Sequence, residues 1–160
     1  MTGYLRALGG QSDGTWLRAQ SAALGQNIFV APSVFNYFSP DYRIPGSSLF
    51  GPEFTLYDGE KTLRRADFVY QLVYEGGVAA DATVAASTGT TLDLRWLAAA
   101  GSSTAMLDAL DTRLMRGSLS QAAKLAIATA MGVHPADDAL GRAHTAVYLL
   151  GVSPQFQVQR

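Results

Sequence analysis

Few side chains in this sequence are equipped for chemistry. The 160 residues hold two histidines, His134 and His144, thirteen acids and no cysteine. Without cysteine there is no thiol nucleophile, disulfide framework or thiolate metal site. A hydrolytic reading needs a nucleophile, a base and an acid within reach of one another. Ser39, with Asp41 or Glu53 as the acid and His144 as the general base, is the set that would serve an ester. No G-x-S-x-G stretch accompanies it, and such an elbow needs a strand before its helix. Two carboxylates on either side of a glycosidic bond are the other hydrolytic route. Asp41 and Glu53 would supply them if the intervening chain folds back, with Tyr37, Tyr42 and Phe50 as a platform for a sugar and Arg43 as a further contact.

Each of these residues also has a plainer reading. His144 lies one helical turn from Leu140 and from Tyr148, which fits a core or boundary imidazole hydrogen-bonded to a loop group. The aromatic side chains fit a loop pinned into the core, and that reading is preferred. Asp41 beside Arg43, and Glu53 near Arg64 and Arg65, fit ion pairs that lock the loop to the helix after it. Arg160 fits a similar pairing with an acid. His134, next to Pro135 at a helix end, fits a structural role, because its cation favours the negative end of the dipole. His134, Asp137 and Asp138 form the tightest cluster of metal-ligand types, without a recognised zinc spacing. No metal site and no cofactor is therefore expected. Gly9-Gly10 and Gly76-Gly77 read as turns, since no phosphate-loop or dinucleotide pattern surrounds them.

The elements that would position these groups are mostly helical. Tyr4, Leu5 and Leu8 suit one short turn of helix. Asp13 suits the N-cap of a helix carrying Trp16, Leu17, Ala19, Ala23 and Leu24, stopped by Gly25. Residues 27–51 contain Pro32, Pro40, Pro45, Gly46 and Gly51, which forbid a long regular element. Their density of aromatic and aliphatic side chains predicts an ordered, packed loop. Pro52 and Glu53 open a helix running toward Glu75, with a kink or break at Asp58-Gly59. Residues 78–91 are rich in small residues and threonine. They are read as a flexible loop, the competing reading being a short hairpin around Ser87–Thr90.

The last third has the clearest period. Met106, Leu107, Leu110 and Leu114 recur at three- and four-residue steps and share one helix face, which Gly117 ends. Ser118 and Gln121 fit a capping box. The helix they open would carry Leu119, Ala122, Ala123, Ala126 and Ala130 inward. Asp137 or Asp138 opens a final helix with Leu140, Ala143, Val147 and Leu150, halted at Ser153-Pro154. The expected fold is a single all-α domain over residues 1–160, an irregular bundle of about five helices with one long Pro- and aromatic-rich loop.

Composition limits the function classes. Hydrophobic residues make up 48% and charged residues 16%, against a usual charged share of roughly 25%. The balance excludes a disordered segment. Twelve Lys and Arg against thirteen acids leave a net charge of -1, so no basic surplus meets nucleic acid. No run approaches the ~20 apolar residues that span a bilayer, and the first residues lack the basic and apolar regions of a signal peptide. A surface this poor in charge is either covered largely by small residues (Ala, Gly, Ser, Thr) or meets another protein surface, in a partner or by self-association.

Two stretches carry a resemblance. One is Val34-Phe35-Asn36-Tyr37-Phe38-Ser39-Pro40-Asp41-Tyr42, followed by Gly51-Pro52-Glu53-Phe54 and Arg64-Arg65-Ala66-Asp67-Phe68-Val69. The other is Tyr148-Leu149-Leu150 with Ser153-Pro154-Gln155-Phe156-Gln157-Val158-Gln159-Arg160. Together they resemble the C-terminal portion of the bacterial domain-of-unknown-function 1800 family, from about Trp16 onward. The chain departs from that pattern at Asp67, where an Asn is usual, and at Tyr57-Asp58-Gly59-Glu60, where amides are usual. The resemblance implies a mostly helical fold and members of several hundred residues, of which this chain would be a piece or a short stand-alone version. It also implies an exported, periplasmic or extracellular parent, encoded beside a sulfatase-like partner. It supplies no catalytic residues. The expected role is thus a structural or interaction module built around residues 29–53, with a small ester or glycoside hydrolase as the alternative.

Overall fold

The computed structural model describes residues 1–157; the expected pairing of Arg160 lies outside them. The chain is predominantly helical, but not purely so. In order it forms α1 (Thr2–Ala7), β1 (Gln11–Ser12), α2 (Thr15–Ala23), a 3₁₀ helix (Pro52–Leu56) and α3 (Gly59–Tyr74). Then come β2 (Gly77–Val78), β3 (Thr90–Thr91), α4 (Arg95–Ala98), α5 (Ser103–Leu110), a π turn (Asp111–Met115), α6 (Gln121–Met131), α7 (Ala139–Val152) and α8 (Pro154–Gln157). The all-α expectation is corrected by the small antiparallel sheet, ordered β1-β3-β2. The expected five helices are corrected to eight α-helices among the described residues, because α1, α4 and α8 are too short to show a helical period.

The helix α7 is the centre of the fold and packs against α3, α4, α5 and α6. Its small residues make this possible. Ala143, Ala146, Val147, Leu150 and Gly151 are all buried, so neighbouring backbones can come close. The core from α5 matches its predicted face: Met106, Leu107 and Leu110 are almost wholly buried. The predicted face of α6 is rotated. Ile127 and Met131 are buried and Ala123 packs beside them, while Ala122 and Ala126 face solvent. The larger side chains at the four-residue step decide which side goes in, since they remove more apolar area from water.

Helix ends follow side-chain caps. Asp58 caps α3 by accepting from the Lys61 amide at 2.7 Å, which separates α3 from the 3₁₀ helix at the break expected there. Ser120, not Ser118, caps α6, accepting from the Ala123 amide at 3.2 Å. The Ser118 hydroxyl instead donates to the Met115 carbonyl at 2.6 Å. Asp138 caps α7 through the Gly141 amide at 2.8 Å.

The stretch 78–91 is a strand at each end, with the connection held from outside. The Asp13 Oδ2 accepts from the amides of Thr88 and Gly89, each at 2.8 Å, and from the Ser87 hydroxyl at 2.6 Å. Its Oδ1 accepts from the Thr15 amide at 2.9 Å. One carboxylate therefore binds the start of α2 to the loop before β3, and these bonds hold its pKa well below the ordinary range. Thr90 on the central strand is fully buried and shares a 2.6 Å hydrogen bond with Ser12.

Candidate functional site

The loop between α2 and the 3₁₀ helix is built from turns and bridges. Ser39 accepts the Tyr42 amide through its carbonyl at 3.0 Å, and Gly51 donates to the Tyr42 carbonyl at 3.0 Å. Arg43 and Phe50 face each other as an antiparallel bridge, and the Arg43 guanidinium lies 4.6 Å from the Phe50 ring centroid. The Tyr37 hydroxyl donates to the Asn27 carbonyl. Tyr37 and Tyr42 are half-buried, whereas Ser39, Asp41, Arg43, Phe50 and Glu53 are exposed.

The expectation that the loop's aromatics are pinned into the core is corrected. Phe29 is 101% exposed, Val34 95% and Phe50 56%, and Ile28, Val30, Phe35 and Leu49 are exposed as well. Local turns bond part of the loop backbone, and of its large side chains Tyr37, Phe38, Tyr42 and Ile44 are half-buried. The expected ion pairs also do not form among the described residues. Arg43 is engaged by Phe50 and by the Ser48 carbonyl, Arg64 pairs with Glu60 at 2.8 Å, and Arg65 turns to the Leu56 carbonyl at 2.7 Å.

The proposed hydrolytic residues are spread over separate elements. Ser39 and Asp41 stand on the loop, Glu53 on the 3₁₀ helix and His144 on α7. No described hydrogen bond, ion pair or ring contact joins His144 to the other three. His144 is half-buried and meets the Tyr74 ring edge-on at 5.7 Å. Burial lowers its pKa, opposed by the charge of Asp138 and assisted by that of His134. The hydrogen-bonded imidazole is the other one. His134 Nδ1 lies 3.0 Å from Asp138 Oδ2, and its Nε2 lies 2.8 Å from the Thr145 hydroxyl. Among the described residues no group of three or more His, Asp or Glu is placed to hold a metal ion.

Two cavities have none of residues 28–50 in their walls. One, of about 370 Å³, sits between α2 and α3 and is lined by Gln20, Arg64, Asp67, Tyr70, Gln71 and Glu75. The other, of about 530 Å³, is walled by α1, α3, the π turn and the end of α7, and contains Arg65, Arg113 and Arg116. Sequence reading took Arg65 for a partner of Glu53 and missed Arg113 and Arg116. Arg113 and Arg116 stand three residues apart at the π turn, and only the fold brings Arg65 of α3 to them.

A family model described as "Protein of unknown function (DUF1800)" matches residues 1–158. The chain belongs to the DUF1800 family. No curated protein and no solved structure matches it. The segments that carry the family likeness fall, in this DUF1800 chain, on the exposed loop, the 3₁₀ helix, α3 and the end of α7 with α8. The family name prescribes no activity, so function rests on the chain's own surfaces. No helix among the described residues is long and apolar enough to cross a membrane.

Proposed function

We propose that this chain is a protein-interaction module that associates with a second copy of itself through the loop of residues 28–50. The observation that carries this reading is Phe29. It is fully exposed and holds a left-handed backbone, φ 64°. An L-residue with a bulky side chain pays on the order of 1 kcal/mol for that conformation, and exposure to water returns nothing. A partner surface over the ring supplies the missing gain.

The choice of a second copy follows from charge. Residues 27–51 contain one acid, Asp41, and one base, Arg43, and the whole chain carries a net charge of -1. Two such surfaces do not repel, and near-zero net charge favours association. A two-fold contact uses the same patch on both copies, which suits a patch with no sign.

Sedimentation equilibrium across a wide concentration range tests this. The average mass is expected to rise from monomer toward dimer, and the double variant Phe29→Gly with Phe50→Ser is expected to stay monomeric. Leu125→Ser, at an exposed position on α6, is the control and leaves the dimer intact. A wild-type chain that stays monomeric throughout, or a control variant that dissociates equally, overturns the reading.

A further inference from the structure

We infer that the cavity walled by α1, α3 and the π turn binds a small amphiphilic anion, with a carboxylate or phosphate head and a short apolar body. Its volume of about 530 Å³ falls inside the ~300–1,000 Å³ range of small-molecule sites. Its charged side chains are Arg65, Arg113 and Arg116, and no acid is among its described lining residues. The gathering of three guanidinium groups contrasts with a chain whose net charge is -1.

The state of Arg65 is the second observation. Its Nη2 donates to the Leu56 carbonyl at 2.7 Å and its guanidinium lies 4.3 Å from the Tyr57 ring centroid. Its Nη1 is buried and has no partner among the described residues. A charged donor buried without an acceptor is costly, and a small turn of the Arg65 guanidinium, whose residue lines the cavity, would let an anion there supply that acceptor. Asp58 does not take this place. It caps α3, pairs with Lys61 and does not line the cavity.

The other two arginines are held ready in different ways. Arg113 stacks on Trp96 with its guanidinium carbon 4.0 Å from the ring centroid, and one nitrogen reaches the Ala7 carbonyl at 3.3 Å. Its remaining donors have no described acceptor. Arg116 ends the π turn with a left-handed φ of 55° and makes no described ion pair. By contrast, Arg64 and Arg95 are each bonded to an acid. Guanidinium forks match the paired oxygens of carboxylate and phosphate. The apolar part of the wall, from Leu24, Phe68 and Phe156, fits a hydrocarbon body better than a bare ion.

Isothermal titration calorimetry on the full chain, with octyl phosphate, octanoate, octanol and inorganic phosphate as separate probes, tests the site. At least one of the two amphiphilic anions is expected to bind, with an affinity that falls as salt rises, and which one binds names the head group. Octanol and inorganic phosphate are expected to bind at least tenfold more weakly. Arg116→Gln is expected to weaken the anion about tenfold, equivalent to about 1.4 kcal/mol, with the melting temperature of the free chain unchanged. Arg65→Gln is not the deciding variant, because it also removes the Leu56 contact and can unfold the chain. Failure of both amphiphilic anions to bind, equal binding of octanol, equal binding of inorganic phosphate, or an Arg116→Gln chain with unchanged affinity would each overturn the site. This test is separate from that of residues 28–50, none of which lines this cavity.

Discussion

The Tyr4 hydroxyl donates to the Val147 carbonyl at 2.8 Å, joining α1 to the centre of α7 across 143 positions of sequence. The bond is buried, and burial pushes the Tyr4 phenol pKa well up, so it stays a neutral donor. Gly151 lies beneath it: a Cβ there would come within 2.6 Å of the Tyr4 oxygen and 3.0 Å of Val69. Tyr4→Phe is expected to cost about 1 kcal/mol, the net worth of one such bond. Gly151→Ala is expected to cost about 1–3 kcal/mol by overpacking, despite its better helix propensity. The double variant should cost less than the sum, because removing the hydroxyl relieves part of the overlap. Urea denaturation of the four chains gives the coupling, and strict additivity would show that the two sites do not touch.

Asp111 is the acid that holds the turn between α5 and α6. Burial pushes its pKa up, but the Lys124 ammonium at 2.9 Å and the Leu119 amide at 3.0 Å more than offset this, leaving it below the ordinary value of 3.8. The folded-state pKa is lower than the unfolded one. The resulting stability is therefore full above pH 3.8 and lost as pH falls through the folded value. Asp111→Ala strands the buried Leu119 amide, for which about 1–3 kcal/mol is expected. Lys124 keeps Asp108 at 2.8 Å, so the cost comes from the amide and not from a stranded cation. Urea midpoints at pH 7 check the size, and a flatter acid limb in the variant checks the cause.

The His144 ring gives a second pH signature, in a different window. Burial lowers its pKa beneath 6.5, so the unfolded chain binds a proton that the folded chain refuses. Stability is fully present above pH 6.5 and declines as pH falls toward the folded value. His144→Gln is expected to flatten the dependence of melting temperature on pH just below about 6.5, while leaving in place the acid limb to which Asp111 contributes. An unchanged slope in the variant would place the titrating group elsewhere.

These residues show where the sequence was readable. The faces of α5 and α7 were legible because Met106, Leu107, Leu110, Ala143, Val147 and Leu150 recur at helical steps between clear stops. The sheet was not, since strands of two residues are too short to show an alternation. The α6 cap was misplaced by two residues because Ser118 and Ser120 both suit the role, and only the contact with Met115 separates them. The loop aromatics were read as buried because aromatic density usually marks a core. Nothing local tells that the turns of this loop leave Phe29, Phe35 and Phe50 in water. The hydrolytic set was assembled from residue types alone. Arg65 was read only as a partner for Glu53, and its meeting with Arg113 and Arg116 was not legible, because position 65 reaches them only through tertiary packing.

Gly141 offers a test in which local propensity and tertiary geometry predict opposite signs. It is the third residue of α7, and alanine there should favour the helix by up to about 1 kcal/mol. A methyl group at that position would overlap the Asp138 carboxylate and approach His134 Nδ1 within 2.5 Å. Those two groups are bonded to each other, and Asp138 also accepts the Gly141 amide. The glycine is thus what lets a cap and an imidazole share the first turn of the helix. Gly141→Ala is expected to lower the melting temperature. In an Asp138→Ala background the same change is expected to do less harm, because the carboxylate it would strike is gone. His134 should respond in parallel: its ring-nitrogen NMR shifts, set by Asp138 and Thr145, are expected to move in Gly141→Ala. A rise in melting temperature with an undisturbed His134 ring would mean that propensity alone governs this turn, and that the cap has room the geometry denies.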